Sequence, residues 1–374
     1  MIPDRRTPSQ PWTLPVPRRE VLLQALALAV SSGLAGCASA ASTRTPAATT
    51  PTPLLRTPLG PIEPSNASRI AALGVLRPND YYLRGIAWSP DGRRVAAGGA
   101  TNLHLWDITS GQVVGTWRGH TGQIYGMAWS PKTNLLASAS GDGTVRLWDG
   151  VDGTPTRVVK GAALTPLSVA WSPDGATLAV GNFDGTVALV ETRTGSVLTS
   201  LSGPPLATSH GRYPYAAYGV SWAPDGQRFA STRYDRYVLV WEARSGKMLA
   251  ALLVDSQPNA VAWSPDGARF ASSHDDGTVR LWDGARYAPG ATLKAPTSAD
   301  GWAFPLAWSA DGRLLAAARE TGLVEWWDVS GAQQVAALRG HDAGVWAMSW
   351  SPDGTRVATA SDDQTLRLWG VAGG

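Results

Sequence analysis

The chain has 374 residues, of which 44% are hydrophobic and 16% charged, and its formal net charge is +3. With 32 Lys and Arg against 29 Asp and Glu there is no basic excess to hold a polyanion, so no nucleic-acid partner is expected. The single cysteine excludes a disulfide framework and a cysteine-ligated zinc site, which leaves packing and chain closure to hold the fold.

Residues 1–37 read as an export signal. Arg18 and Arg19 precede VLLQALALAVSSGLAG (21–36), which is apolar but shorter than the ~18 residues expected of a spanning helix. Leu34-Ala35-Gly36-Cys37 then matches the bacterial lipoprotein box, where small residues admit the peptidase and the Cys37 thiol receives the lipid. The arginine pair resembles a twin-arginine signal, although Pro17 and Glu20 depart from the Ser/Thr-Arg-Arg-x-Phe-Leu pattern, so that route and general secretion both stay open. The expected location is extracytoplasmic, on the bacterial cell membrane, with the lipid as the membrane contact. Residues 38–66 are rich in Ser, Thr, Pro and Ala and poor in large apolar side chains, so they cannot bury a core and read as a disordered tether.

From residue 67 to 374 the chain copies one unit, seen most plainly at 119–149, GHTGQIYGMAWSPKTNLLASASGDGTVRLWD. Three short apolar runs there are separated by Ser130-Pro131 and by Gly141-Asp142-Gly143. Proline presets the backbone for the second position of a tight turn, and Asp or Gly accommodates the bend. The runs are rich in Val, Ile, Leu, Thr and Trp, which suit a buried pleated sheet. The first-strand tryptophan recurs as Trp88, Trp129, Trp171, Trp222, Trp263, Trp308 and Trp350, in steps of 41, 42, 51, 41, 45 and 42 residues.

A period of about 40 to 45 residues, with Gly-His near the start and Trp-Asp near the end, marks a propeller blade. On these residues the chain resembles the WD-repeat β-propeller family. The resemblance implies an all-β fold of seven four-stranded antiparallel blades around one axis, so 67–374 forms a single domain despite its length. The last copy ends at Leu368-Trp369-Gly370, without a fourth strand of its own. Residues 69–76, RIAALGVL, resemble the fourth strands KMLAALLV (247–254) and QQVAALRG (333–340), and are expected to complete the last blade and remove an open edge.

Each first-strand tryptophan follows a small residue, Ala87, Ala128, Ala170, Ser221, Ala262, Ala307 or Ser349, as the narrowing space near an axis would require. The family resemblance also implies a hydrogen-bonded relay of His, Ser or Thr, Asp and Trp within a blade. Two blades match it fully: His120, Ser138 or Ser140, Asp142 and Trp148 in blade two, and His341, Thr359 or Ser361, Asp363 and Trp369 in blade seven. A catalytic triad uses the same residue types but needs an exposed nucleophile and an oxyanion pocket, so these residues are read as internal pins. No enzyme activity, cofactor or metal is expected.

Function is expected where the copies differ. In a WD-repeat propeller one face is built from the segment before the first strand and the turn between the second and third. Counting back four and six positions from each first-strand Trp gives Tyr82 and Arg84, Tyr125, Tyr218, Trp302 and Phe304, and Trp346 on that face, and the residue before the turn Asp adds Phe183 and Tyr234. Aromatic side chains of this density suit a binding surface. An extra stretch at 203–218 extends the same face, and the opposite face repeats near-identical Ser-Pro-Asp-Gly turns. Arg233 and Arg236 flank the turn of blade four, whereas Asp275, Glu320 and Asp362 stand in the turns of blades five to seven. The expected function is a non-catalytic platform for a protein partner, with the propeller itself a monomer. Binding of a small ligand, peptide or glycan at the axial depression is the alternative, favoured if the aromatics cluster at the channel mouth. A propeller hydrolase or lactonase would need clustered carboxylates or a metal site on the axis.

Overall fold

The structure, a computed structural model, describes residues 60–78, 82–161, 165–204, 216–294 and 303–371, with side chains from 305 in the last segment. Seven antiparallel sheets of four strands make up the described chain, in the order expected of seven blades. Blade two shows the pattern: Ile124–Trp129 innermost, then Leu135–Ser140 and Thr144–Asp149, with Pro155–Lys160 outermost. Trp129 and Trp148 both stand beside Leu136, one from each side, so the two repeated tryptophans flank the middle of the sheet.

Closure follows the expected route. Ile70–Leu76 pairs antiparallel with Leu366–Val371, from Ile70 against Val371 to Leu76 against Leu366, and completes blade seven. A short 3-10 turn, Ala67–Arg69, leads into that strand. Contacts begin still earlier: Ile62 is only 2% exposed and its N–H donates to the Gly354 carbonyl at 3.0 Å.

The core lies between blades. Seven apolar clusters are present among the described residues, each joining two neighbouring sheets. That between blades seven and one, for example, packs Leu366 and Leu368 against Ile86, Val95 and Trp106. A blade with two apolar faces cannot be stable alone, so each sheet depends on both neighbours.

Five of the seven first-strand tryptophans tie these interfaces together. The indole N–H of Trp88 donates to the Ser349 carbonyl at 3.0 Å, Trp171 to Ala128 at 2.9 Å, Trp222 to Ala170 at 3.2 Å, Trp308 to Ala262 at 3.0 Å and Trp350 to Ala307 at 2.9 Å. The acceptor is in every case the small residue before the preceding blade's tryptophan. Its size therefore does more than fit a taper, because it leaves the backbone carbonyl open to the indole. Gly126 meets a similar demand: a Cβ there would lie 2.9 Å from the Ser168 Cα of the next inner strand.

The Ser-Pro-Asp-Gly turns share one geometry. The Ser89 hydroxyl donates to Asp91 at 2.5 Å, and the same bond recurs at Ser264 and Asp266 (2.6 Å) and Ser351 and Asp353 (2.5 Å). Gly92, Gly267 and Gly354 close these turns at φ near +69°, which glycine adopts without strain.

Candidate functional site

In blade two the relay runs without a gap. Trp148 donates its indole N–H to the Ser138 hydroxyl at 2.8 Å, Ser138 reaches His120 Nε2 at 2.7 Å, and His120 Nδ1 meets Asp142 at 2.8 Å. Blade seven repeats the chain through Trp369, Thr359, His341 and Asp363. The other candidates for the hydroxyl, Ser140 and Ser361, donate instead to the carbonyls of Gly122 and Ala343. Burial holds His120 and His341 below the ordinary imidazole range despite their carboxylate partners, so near neutrality each ring is neutral and donates from Nδ1. Ser138 and Thr359 are fully buried, and a nucleophile so placed has no route to a substrate.

Blade five carries a variant that the repeat pattern hides. Trp282 donates to Ser272 at 2.8 Å, but the ring that meets Ser272 belongs to His274, two residues along the same strand, and its Nδ1 faces the Ser256 carbonyl at 3.3 Å. Burial pushes His274 down to about 4. Arg319 holds the equivalent place in blade six and forms a buried pair with Glu325 at 2.9 Å, which Gln334 supports from the outer strand. The sequence signal for both was a polar residue two positions beyond the relay Ser position.

On the turn-bearing face the chain ends bring blades seven and one together. Arg84 Nη2 donates to Asp362 at 3.2 Å, and its guanidinium lies 3.8 Å from the centroid of the Trp346 ring and 5.9 Å from that of Tyr82. Stacking of this kind is worth about 2 kcal/mol when desolvated. Burial raises the Asp362 carboxyl above its ordinary value, opposed by Arg84 and by a hydrogen bond from Trp346. Tyr125 in blade two packs over Gly141, where a Cβ would lie 3.2 Å from its ring. Burial pushes its hydroxyl up to about 12; Arg84 acts the other way, and both Tyr82 and Tyr218 are near enough to add to the rise.

Tyr218 belongs to blade four. Its ring meets that of Tyr234 edge-on at 6.2 Å. Tyr82, Arg84, Tyr125, Phe183, Tyr218, Tyr234 and Trp346 are all half-buried. Trp302 lies outside the described residues, as do the side chain of Phe304, residues 205–215 of the extra stretch, and Cys37.

The charge split expected across this face is largely internal. Arg233 is 4% exposed and spends its guanidinium on both oxygens of Asp235, at 2.7 and 2.8 Å, and on the Pro204 carbonyl. Asp275 accepts from the buried Asn259 amide at 2.8 Å, and Asp362 is held by Arg84. Charges this close to packed aromatics must be neutralised locally, so they order the face more than they project from it. Arg236, by contrast, is exposed. Among the described residues no group of three His, Cys, Asp or Glu side chains is placed to hold a metal ion.

Seven four-stranded blades, an indole tie between neighbours and a buried His-Asp relay define a WD-repeat propeller. The chain belongs to the WD domain, G-beta repeat family, whose model matches residues 72–107, 111–149, 153–190, 203–242, 254–283 and 332–370. Most of blade six falls between the last two matches, where Ala317 and Thr321 stand at the relay hydroxyl and carboxylate positions. The chain is 42% identical over 57 residues to the U5 small nuclear ribonucleoprotein 40 kDa protein of Mus musculus, covering 15% of this chain and 16% of that one. It is 40% identical over 67 residues to WD repeat-containing protein 1 of Xenopus tropicalis (17% and 11%) and 30% over 79 residues to the anaphase-promoting complex subunit cdc20 of Dictyostelium discoideum (21% and 15%). Each match thus spans well under a fifth of the relative's length.

Proposed function

We propose that this protein is a non-catalytic interaction platform that binds a protein partner at the mouth of the propeller, held on the outer side of a bacterial membrane by a lipid on Cys37. The observation that carries the binding reading is the convergence of Tyr82, Trp346 and Asp362 on Arg84, with Tyr125 near enough to feel the same guanidinium. Rigid aromatics around a neutralised ion pair supply contact area at low entropic cost. Relatives named for a ribonucleoprotein and for a subunit of a larger complex support assembly as the general role.

A second reading has a specific observation in its favour. Tyr82 and Trp346 gather on Arg84 where blades seven and one meet, an aromatic and cationic surface of the kind a peptide, glycan or small ligand would use. Both readings put the same residues in contact with the ligand.

The test is capture of the partner on the lipidated protein from its native membrane, its identification by mass, and measured binding of variants. Trp346→Ala and Tyr125→Ala should each weaken binding by about 2 kcal/mol or more, and Lys132→Ala on the opposite face should leave it unchanged. A captured small ligand or glycan in place of a protein selects the second reading. Wild-type affinity in both aromatic variants, or losses that only follow their melting temperatures, would remove the mouth from either.

A further inference from the structure

The outermost strand of a blade presents a row of unpaired backbone groups, and natural edges are normally blunted by charge, proline, glycine or shortness. The outer strands here can be compared on that basis. Pro155–Lys160 carries Arg157 and Lys160, Pro289–Leu293 begins with Pro-Gly, Gln333–Arg339 carries two glutamines and an arginine, and Val113–Trp117 and Ile70–Leu76 each contain a glycine. Val197–Leu201 is short and includes Thr199 and Ser200. Blade four's strand, Met248–Leu253, reads MLAALL, with no charge, hydroxyl, glycine or proline.

Its side chains alternate cleanly. Met248, Ala250 and Leu252 are half-buried, whereas Leu249, Ala251 and Leu253 face solvent, Leu253 at 61% exposure. The alternation continues into exposed Lys247 at one end and exposed Asp255 at the other. Backbone pairing reaches both flanks, since the Lys247 carbonyl accepts from Glu242 N–H at 2.8 Å and Val254 N–H donates to Arg236 at 2.9 Å.

The exposed row is therefore Lys247, Leu249, Ala251, Leu253 and Asp255, and it is complementary to its own reverse. We infer that this edge is the contact of a symmetric homodimer, in which the outer strands of blade four from two copies pair antiparallel about a two-fold axis through Ala251. Leu249 then meets Leu253 of the second copy on each side, and Lys247 meets Asp255, whose carboxylate is 98% exposed and only 3.6 Å from Arg280 in its own chain. The register shift against the neighbouring strand falls at Leu249, at one end of the row, and Ala250 to Leu253 pair regularly. A second copy fits better than a foreign strand, because one row supplies both the apolar match and the charge match. The inference replaces the monomer expected from sequence, and it is independent of the mouth.

The measurement is sedimentation velocity on the full chain carrying Cys37→Ser, from low to high micromolar concentration. A reversible monomer–dimer equilibrium is expected. Ala251→Lys brings two like charges to within ~5 Å and should weaken the dimer by about tenfold or more, while leaving the melting temperature of the monomer in place. Lys247→Asp and Asp255→Lys should each weaken it, and the two together should restore it. Ala251→Cys in the same background should oxidise to a chain-to-chain disulfide, since paired Cα atoms of about 4.5–5.5 Å suit that bond. A single monomeric species at all concentrations, a dimer that Ala251→Lys leaves unchanged, or a double charge variant no stronger than the single ones would overturn the inference.

Discussion

At the scale of single residues, the relay shows how one physical requirement is met in more than one way. A buried indole N–H needs an acceptor, and a buried hydroxyl then needs a partner of its own. Blades two and seven supply an imidazole from the segment ahead of the inner strand, and blade five supplies His274 from within the second strand. Because its folded-state pKa of about 4 lies below the ordinary 6.5, the unfolded chain binds the His274 proton first as pH falls. The stability that neutral His274 contributes is complete above pH ~6.5 and is lost as pH falls from there toward about 4, an effect on the order of 3 kcal/mol. Asp142 and Asp363, held below their ordinary values against the upward push of burial by hydrogen bonds from Thr144 and His120 and from Thr365 and His341, add a loss of the same sign at lower pH. Thermal unfolding at pH 7 and pH 4.5 should show a marked acid drop in the wild type and a smaller drop in His274→Gln. An equal drop in both would place the acid sensitivity elsewhere.

At the scale of elements, the closing strand matters most. Ile70 and Leu76 are about 95% buried at its ends, and each is worth roughly 1.5–3 kcal/mol of burial. A chain beginning at Tyr81 loses both and exposes the strand Leu366–Val371, so its melting temperature should fall by roughly 10 °C or more, with aggregation. A chain beginning at Gly60 keeps the strand and the Ile62 anchor, and should melt with the wild type. Equal melting of the two chains would show that closure does not rest on this strand.

For the molecule as a whole, the question is what the propeller is attached to. Two acyl chains on one residue hold a protein stably on a bilayer, whereas one chain is marginal. If Cys37 carries them, Cys37→Ser should leave the signal segment uncleaved and the chain without lipid, as intact mass would show. Processed, membrane-bound Cys37→Ser protein would end the proposal. On the folded side, closure of the ring places Arg84 of the first blade against Trp346 and Asp362 of the last, so the same closure that stabilises the domain also assembles this cluster.

The seven-fold repeat, the blade count, the antiparallel strands and the closing segment were all legible in the sequence, because each depends on local pattern: a period of apolar residues, a turn tetrapeptide, a missing fourth strand. The relay residues of blades two and seven were legible for the same reason. His274 was not, since it stands two positions from where the repeat puts a histidine and only packing brings its ring to Ser272. Nor was the internal fate of Arg233, Asp275 and Asp362, which were equally compatible with an exposed charge pattern until burial forced each to find a partner. Sequence places residues on a face by counting along a strand. Which of them meet across the ring is decided by closure, which brings Arg84 and Asp362 to 3.2 Å from opposite ends of the domain.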